Sequence, residues 1–599
     1  MKRYPQRAIL QLVLGAVATV VFIANSGAVE ITVTSPSGQA LATVMVTQTL
    51  AHPNPPDTSD GGYQQPGRAH HTDIEKSVFT DAAGLVQLPP RDGATVYRLR
   101  KPGFQDQLIN ASAGQATLKA TLQPETDLAR LAAAKPASSW LGALNIGTVD
   151  AKRQFQMQCG FCHQQGSAMT RRERSPEEWH NTIDRMVRYG SRLPTDLQKS
   201  LPEKLSAGYR RLRDNPSLVQ GGIDWSSSLA HVAITEWPIG DSLSETHDML
   251  VAANKLVYVA DNIQDRLYEV DPRTNAVTVY KIPHKAGDQP GGLISSRLKD
   301  YPRDDSTSNA HSLAQSPRDG HIFITPSAQR RLVEFDPKTK AFTLHEIGGG
   351  FYPHTIRVDA KDRVWFTLAL SNQVAKFDRI TQKFTLYDLP ARSFKEKMIT
   401  SSIGFLYKLM NWGIPLSSWL SIDNVSTGLP LPYGIDVTPD GTVWFARLHT
   451  KEIGKIEPES GKVTMIPTPF LGPRRLRSDA EGNLWITAFG ESKIARYVPS
   501  SGQFSLFDLP VVPKGSETPY SLNVDKQRGI VWVTGSQSDA LYGFNIKSQQ
   551  WRTIPLPRRT TYTRDIEIDS DGSLYTANSN FPAWQIEGGQ PTLIHVKTQ

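Results

Sequence analysis

The chain has 599 residues, of which 39% are hydrophobic and 21% charged, with a formal charge of +8. That length allows several domains of ~100–200 residues each, and the composition excludes disorder as the state of most of the chain. The positive excess is spread thinly with no long Lys/Arg run, which argues against nucleic-acid binding; it suits an acidic redox partner or an ordinary solvated surface.

Residues Met1 to Arg7 carry three positive charges, Ala8 to Ala24 are almost wholly apolar, and Ser26-Gly27-Ala28 is a small-residue cleavage site. The pattern predicts a signal peptide over 1–28 and a periplasmic product. An N-terminal membrane anchor is the alternative, since the run is slightly long for a signal and slightly short for a span.

Residues 29–123 predict a small β-sandwich. Val29 to Val33 and Ala42 to Val46 alternate, and Thr80-Asp81-Ala82-Ala83-Gly84 turns into Leu85 to Leu88. With Tyr97-Arg98-Leu99-Arg100-Lys101-Pro102-Gly103-Phe104, this order resembles the carboxypeptidase regulatory-like, transthyretin-like domains. The resemblance implies a docking or spacer module without chemistry of its own. The Pro/Gly/Asp-rich loop 51–71 ends in His70-His71, either a metal-binding pair or a solvated one.

An Ala-rich stretch from Glu125 to Ser138 leads into a predicted α-helical domain over 140–222, and there the chemistry concentrates. Cys159-Gly160-Phe161-Cys162-His163 holds the chain's only two cysteines. Two thiols three positions apart can each bond one porphyrin vinyl group, and the adjacent imidazole can turn onto the iron. A disulfide redox pair needs no histidine there and expects a strand before it, whereas Ala151 to Gln158 read as a helix. A structural zinc needs further Cys or His at ligand spacing. The expected cofactor is therefore one covalent haem c, bound by Cys159, Cys162 and His163.

Ser175-Pro176-Glu177-Glu178 is a capping box with proline at the first helical position, and it opens a helix to about Tyr189. Trp179, Ile183 and Met186 share one face of it. The run Arg174-Ser175-Pro176-Glu177-Glu178-Trp179 with Arg185-Met186 resembles the small cytochromes fused to periplasmic dehydrogenases, such as the haem domain of quinohaemoprotein amine dehydrogenases. Met186 is the chosen distal iron ligand; Met169, His180 or an open site are the alternatives. His/Met ligation favours a raised potential and electron transfer, and an open iron favours ligand binding.

From Trp225 onward the chain repeats at a period near that of a four-stranded propeller blade. Seven copies begin at Thr246-His247, Ala310-His311, Pro353-His354, Pro432-Tyr433, Pro473-Arg474, Pro519-Tyr520 and Thr563-Arg564. Each carries a later aromatic: Tyr258, Phe323, Trp365, Trp444, Trp485, Trp532 or Tyr575. The fold class is thus multidomain and mainly β, with a seven-bladed β-propeller over 225–599, a β-sandwich and an α-helical cytochrome c domain. Ala233 to Ile239 is expected to complete the last blade, in competition with Thr592 to Val596.

"Pro-Tyr-Gly-Ile … Pro-Asp-Gly-Thr-Val-Trp-Phe" and "Asp-Ala-Glu-Gly-Asn-Leu-Trp-Ile-Thr" resemble the repeat of virginiamycin B lyase, the streptogramin lyase. The resemblance implies a first-strand histidine working with a glutamate fourteen positions later and an assisting divalent metal at the propeller mouth. His354 matches that histidine, but Leu368 holds the partner position and cannot take a proton. His247 alone keeps an acid there, Asp261. The candidate catalytic residues are His354, His247, Asp261 and His311, with Arg474, Arg475 and Arg564 placed to grip an anion.

Insertions over 284–309 and 391–430 fall on the same face. The second holds an apolar run, Ile403 to Trp412, that can lid the mouth, pack on the haem domain, touch a membrane or form a satellite core. The sequence reads as an exported electron-transfer protein whose propeller binds a substrate or redox partner protein, as in a dehydrogenase component. A metal-dependent lyase and a non-catalytic haem sensor are the alternatives, and the enzyme class stays open.

Overall fold

The computed structural model describes residues 28–50, 73–295, 306–414 and 429–598. The signal or anchor, the cleavage site, His70-His71 and parts of both insertions fall outside them.

The N-terminal unit contains β1 (Val29–Thr34), β2 (Met45–Leu50), β3 (Glu75–Phe79), β4 (Leu85–Leu88), β5 (Thr95–Arg100), β6 (Gln107–Ala111) and β7 (Thr117–Thr121). β1 lies between β4 and β7 in one sheet, while β3, β2, β5 and β6 run side by side in another. Alternation of apolar residues along each strand buries Ile31, Val33, Val46, Leu99 and Leu118 in a common core.

This unit is not a detached spacer. β3 pairs with β8 (Val232–Pro238), in the register Glu75↔Glu236 to Val78↔Ala233. β8 in turn pairs with strand Thr592–Thr598, so one eight-stranded sheet runs from the last propeller blade into the N-terminal unit. Arg558, 2% exposed, spans the seam to Glu75 at 3.1 Å and Glu236 at 3.3 Å. Arg100 adds a bond to Glu587 at 2.7 Å. Buried pairs of this kind resist separation, because pulling them apart strands a charge in a dry site.

The ring of blades follows the repeat closely. Inner strands begin at Thr246, Ala310, Pro353, Pro432, Pro473 and Pro519, the residues that open the sequence copies. Each of those six blades is a four-stranded antiparallel sheet. The seventh is built from Glu567–Ile568, Leu574–Ala577, Thr592–Thr598 and β8, so β8 is its outer strand and Thr592–Thr598 its third. Both segments that competed for closure are used. Successive inner strands touch around the ring, and the seventh meets the first. The second-strand aromatics, Trp365, Trp485 and Trp532 among them, are fully buried between blades.

Between the two β units lie α1 (Leu128–Ala134), α2 (Ala137–Ala143), α3 (Val149–Cys159), α4 (Pro176–Arg188) and α5 (Thr195–Asp214). α4 carries the expected capping box: Glu178 N donates to Ser175 Oγ at 3.2 Å and Ser175 N to Glu178 Oε2 at 2.7 Å. Trp140, Phe155, Trp179, Ile183, Leu201 and Tyr209 form the core of this helical module.

The second insertion supplies α6 (Phe394–Asn411), capped by Ser393 Oγ, which accepts from Glu396 N at 3.1 Å. Ile399 and Ile403 of α6 join Ile294 of the first insertion and Phe351 in a satellite core. Its outer face leaves Phe394, Met398 and Phe405 exposed. No helix among the described residues is long and apolar enough to cross a membrane.

Candidate functional site

Each of the first six inner strands carries a β-bulge at its second and third residues. In blade 1 the register jumps from Asp261↔Thr246 to Val259↔Met249, so His247 and Asp248 together oppose Ala260. The same shift sets His311 and Ser312, His354 and Thr355, Tyr433 and Gly434, Arg474 and Arg475, and Tyr520 and Ser521 against single partners. A bulge bends the strand and re-aims its side chains. Here it gives the channel two stacked rings of functional groups, one from the second repeat position and one from the third.

The second-position ring is a contiguous cluster. The His247 and His311 ring centroids are 3.6 Å apart, those of His311 and His354 3.7 Å, and those of His354 and Tyr433 3.7 Å. Tyr433 Oη lies 2.9 Å from Tyr520 Oη, and Tyr520 Oη 3.2 Å from His247 Nε2. Burial lowers all three imidazoles below their ordinary range, His247 to about 3, with Arg475 adding to the effect. They are neutral at physiological pH and keep a lone pair.

The third-position ring holds the partners that the second position needs. Asp248 Oδ1 accepts from His247 Nδ1 at 2.9 Å. Arg475, blade 5's third-position residue, crosses the channel and binds both Asp248 oxygens, at 2.6 and 2.9 Å. Burial pushes the Asp248 carboxyl up, but this guanidinium, with His247, outweighs burial and holds it well below its usual range. Arg475 is therefore committed to a strut across the ring and does not grip a ligand.

Asp261 is likewise no partner of His247. Its carboxylate accepts from Tyr268 Oη at 2.9 Å and from the Glu245, Ile263 and Gln264 backbone N–H groups, and burial raises its pKa. The bulge gives His247 its neighbour Asp248 as acid, a signal carried only by the adjacency His-Asp in the sequence. Leu368 is buried and packs against Gly350, where any Cβ would lie 2.3 Å from Leu368 Cδ1. His354 turns its Nδ1 to Thr355 Oγ1 at 3.0 Å.

Arg474 faces ring surfaces, 3.4 Å from the Tyr520 centroid and 4.5 Å from that of Phe161, and donates to Tyr433 Oη at 2.8 Å. Arg564 binds Glu245 at 2.6 Å and donates to Cys162 O at 3.1 Å.

That last bond belongs to an interface that sequence patterns did not disclose: the helical module is seated on the propeller mouth. Tyr562 Oη donates to Gly160 O at 2.6 Å, Gln164 N to Asn580 Oδ1 at 3.0 Å and Gln165 N to Gln537 Oε1 at 2.7 Å. Gln158 Nε2 lies 3.3 Å from His449 Nε2. Met157 is 1% exposed and fills a hollow floored by Gly472 and Gly490; a Cβ on Gly490 would lie 2.9 Å from its Sδ.

Between module and mouth is a mainly apolar, partly open cavity of about 460 Å³. Cys159, Cys162, His163, Met169 and Met186 line it from the module, and His247, His311 and His354 from the propeller. Ile294, Ile403 and Tyr407 of the two insertions close its side. Thus the insertions both form the satellite core and wall the cavity. His180 is not among the lining residues; its side chain is 61% exposed and pairs with Asp184 at 3.4 Å. Cys159 and Cys162 are not joined in a disulfide. Burial pushes the Cys159 thiol up to about 12 and lowers the His163 imidazole. His163 Nδ1 faces Gln164 O at 3.2 Å, which leaves Nε2 for the cavity.

Residues 421–583, within blades 4 to 7 and the segment before them, match the Virginiamycin B lyase family. Comparison with characterised protein sequences returns no match. Among solved structures the chain is similar to virginiamycin B lyase from Staphylococcus aureus, with 15% identity over 61% of this chain and 99% of that one and a TM-score of 0.45. It is also similar to a streptogramin B lyase, at 16% identity over 62% and 99% with a TM-score of 0.46. A third is Kuenenia stuttgartiensis hydrazine synthase, at 15% identity over 49% and 75% with a TM-score of 0.35. The chain thus carries a propeller similar to that of the lyases.

Proposed function

We propose that this chain is an exported electron-transfer protein with one covalent haem c in the cavity between the helical module and the propeller mouth. In this reading residues 140–222 are a cytochrome c domain, residues 29–123 a regulatory-like sandwich, and residues 225–599 the platform that presents a substrate or redox partner. The observation that carries it is the shared cavity: one apolar space lined by both thiols, His163, two methionines and three propeller histidines.

The residues present fit the group on their chemistry. Two cysteines and a histidine at attachment spacing face a cavity of the size used by cofactors, roughly 300–1,000 Å³. His163 Nδ1 donates to Gln164 O at 3.2 Å, the outer-shell arrangement that orients a ligating imidazole and leaves Nε2 its lone pair. Phe155, Trp179, Ile183 and Leu201 give the cavity apolar walls on the module side. When bound, the group supplies reversible one-electron chemistry at a potential set by its axial ligands and burial. Met186 on α4 and Met169 both turn toward the cavity; Met186 is the proposed sixth ligand, and Met169 then packs beside it. Arg564, through Cys162 O, and Tyr562, through Gly160 O, hold the attachment loop against the propeller.

A lyase reading is less well supported. His354 has the apolar Leu368 at the partner position, and the helical module occupies the mouth through which a bulky substrate would enter.

Optical spectra of the exported protein, oxidised and reduced, test the reading when compared with Met186→Ala and Met169→Ala. A low-spin spectrum with a weak sulfur-to-iron band, lost in Met186→Ala and retained in Met169→Ala, is expected. A high-spin spectrum in the parent protein would refute His163/Met186 ligation and direct attention to ligand binding at the iron.

A further inference from the structure

We propose that the outer face of α6 is a membrane-surface site, which lies on a bilayer containing anionic phospholipid and docks the chain there without crossing it.

The sequence of α6 sorts its residues onto two faces. Phe394, Met398, Phe405 and Trp412 follow one another at steps of four, seven and seven residues, so at about 3.6 residues per turn they fall within an arc of about 40°. They are 81%, 55%, 61% and 67% exposed. On the opposite face Glu396, Ile399, Thr400 and Ile403 are buried. Ile399 and Ile403 are locked into the satellite core with Ile294 and Phe351, so the outer stripe is displayed by a seated helix. From Phe394 to Trp412 the stripe runs for about 27 Å at roughly 1.5 Å per residue. Single exposed apolar residues need no explanation, but four in line on one helix mark an interaction surface.

Charge selects the occupant. Lys397 and Lys408 border the stripe on one side and Lys395 on the other, and all three are exposed. The one acid of α6, Glu396, is turned inward, where it binds Arg392 at 2.6 Å and Arg447 at 3.0 Å. None of the three lysines has a carboxylate partner among the described residues. The outer face therefore offers an apolar line edged by cations and no anion, the pattern of a helix that rests in the headgroup layer. Anionic headgroups attract such lysines. Lys408 Nζ lies 5.1 Å from the Trp412 ring centroid, and an indole beside a long cationic side chain suits the boundary between headgroups and acyl chains. A second copy of the chain is a poorer occupant, because two such faces brought together set lysines against lysines.

The inner face of the same helix walls the cavity through Ile403, Leu406, Tyr407 and Met410. A bilayer against the outer face would thus lie about one helix diameter, ~10–12 Å, from that cavity. The membrane site depends on α6 alone and not on what the cavity holds.

The test floats the purified full-length chain with vesicles of phosphatidylcholine mixed with phosphatidylglycerol, and with vesicles of phosphatidylcholine alone. Binding to the anionic vesicles is expected to be at least about tenfold stronger and to weaken as salt is added. Phe394→Ser/Phe405→Ser and Lys395→Glu/Lys397→Glu/Lys408→Glu change only exposed positions, so both should keep the parent's circular dichroism and each should weaken binding at least about tenfold. Lys395→Gln/Lys397→Gln/Lys408→Gln, a milder change, should weaken it in the same direction if the reversed charges disturb folding. Equal flotation of the parent and all these variants, as an N-terminal anchor alone would give, would overturn the proposal. Failure of the parent to float would also overturn it, and a concentration-dependent dimer in sedimentation, dispersed by Phe394→Ser/Phe405→Ser, would then assign the face to a second copy.

Discussion

Asp248 and Arg475 join blade 1 to blade 5 across the central channel, so their pairing is a direct probe of how the ring is held. Both side chains are at most 2% exposed and share three contacts between 2.6 and 2.9 Å. Asp248→Asn keeps the shape but removes the charge, and leaves a guanidinium buried without its carboxylate. Breaking one side of a buried pair costs about 3–5 kcal/mol. Arg475→Leu should cost a similar amount, since it strands Asp248 beside His247. The double variant strands no charge and should cost less than the two single losses summed, by a coupling of about 0.5–3 kcal/mol. Asp565 also feels Arg475, so recovery will be incomplete. Urea unfolding followed by tryptophan fluorescence reports on the blades, whose interfaces contain Trp365, Trp485 and Trp532. Additive single-variant losses, with coupling below about 0.5 kcal/mol, would refute the strut.

Two further outcomes are expected. Met157→Ala should empty the hollow above Gly472 and Gly490, at a cost of about 2–5 kcal/mol for a buried methionine; hydrogen exchange in α3 should then rise while the blades stay protected, and uniform exchange across both would contradict a docked module. Glu517 is buried, accepts from Thr518 N and Gln537 N, and has its carboxyl pKa raised to about 7 by burial. Its folded-state value exceeds the unfolded one, so the folded chain holds a proton that the unfolded chain releases between pH ~4.5 and 7. Glu517 should therefore make stability fall as pH rises through that window and level off above it, by about 3 kcal/mol in all; Glu517→Gln should flatten that portion of the melting profile, and an unchanged profile would show that the group does not titrate there.

Local and periodic information was legible in the sequence. The blade starts at Thr246, Ala310, Pro353, Pro432, Pro473 and Pro519 coincide with the structure because each repeat imposes the same alternation and turn. The Ser175 capping box and the α3 helix were equally readable, since their determinants lie within a few residues. The seating of the helical module was not, because it depends on pairs such as Gln164–Asn580 and Gln158–His449, which no local pattern links. Nor was the role of Asp248. Counting fourteen positions along an antiparallel pair leads to Asp261, whereas the bulge at His247 and Asp248 turns the neighbouring acid into the channel. Arg475 looked free to bind an anion for the same reason: its carboxylate comes from a blade 227 residues away.

The account rests on a haem bonded to Cys159 and Cys162 beside the propeller histidines. The most direct test is the intact mass of the exported full-length protein, produced with a haem-attachment system and compared with Cys159→Ala/Cys162→Ala. The prediction is a mass increase of one haem per chain in the parent and none in the variant. A folded, exported parent protein with both thiols unmodified would contradict the account.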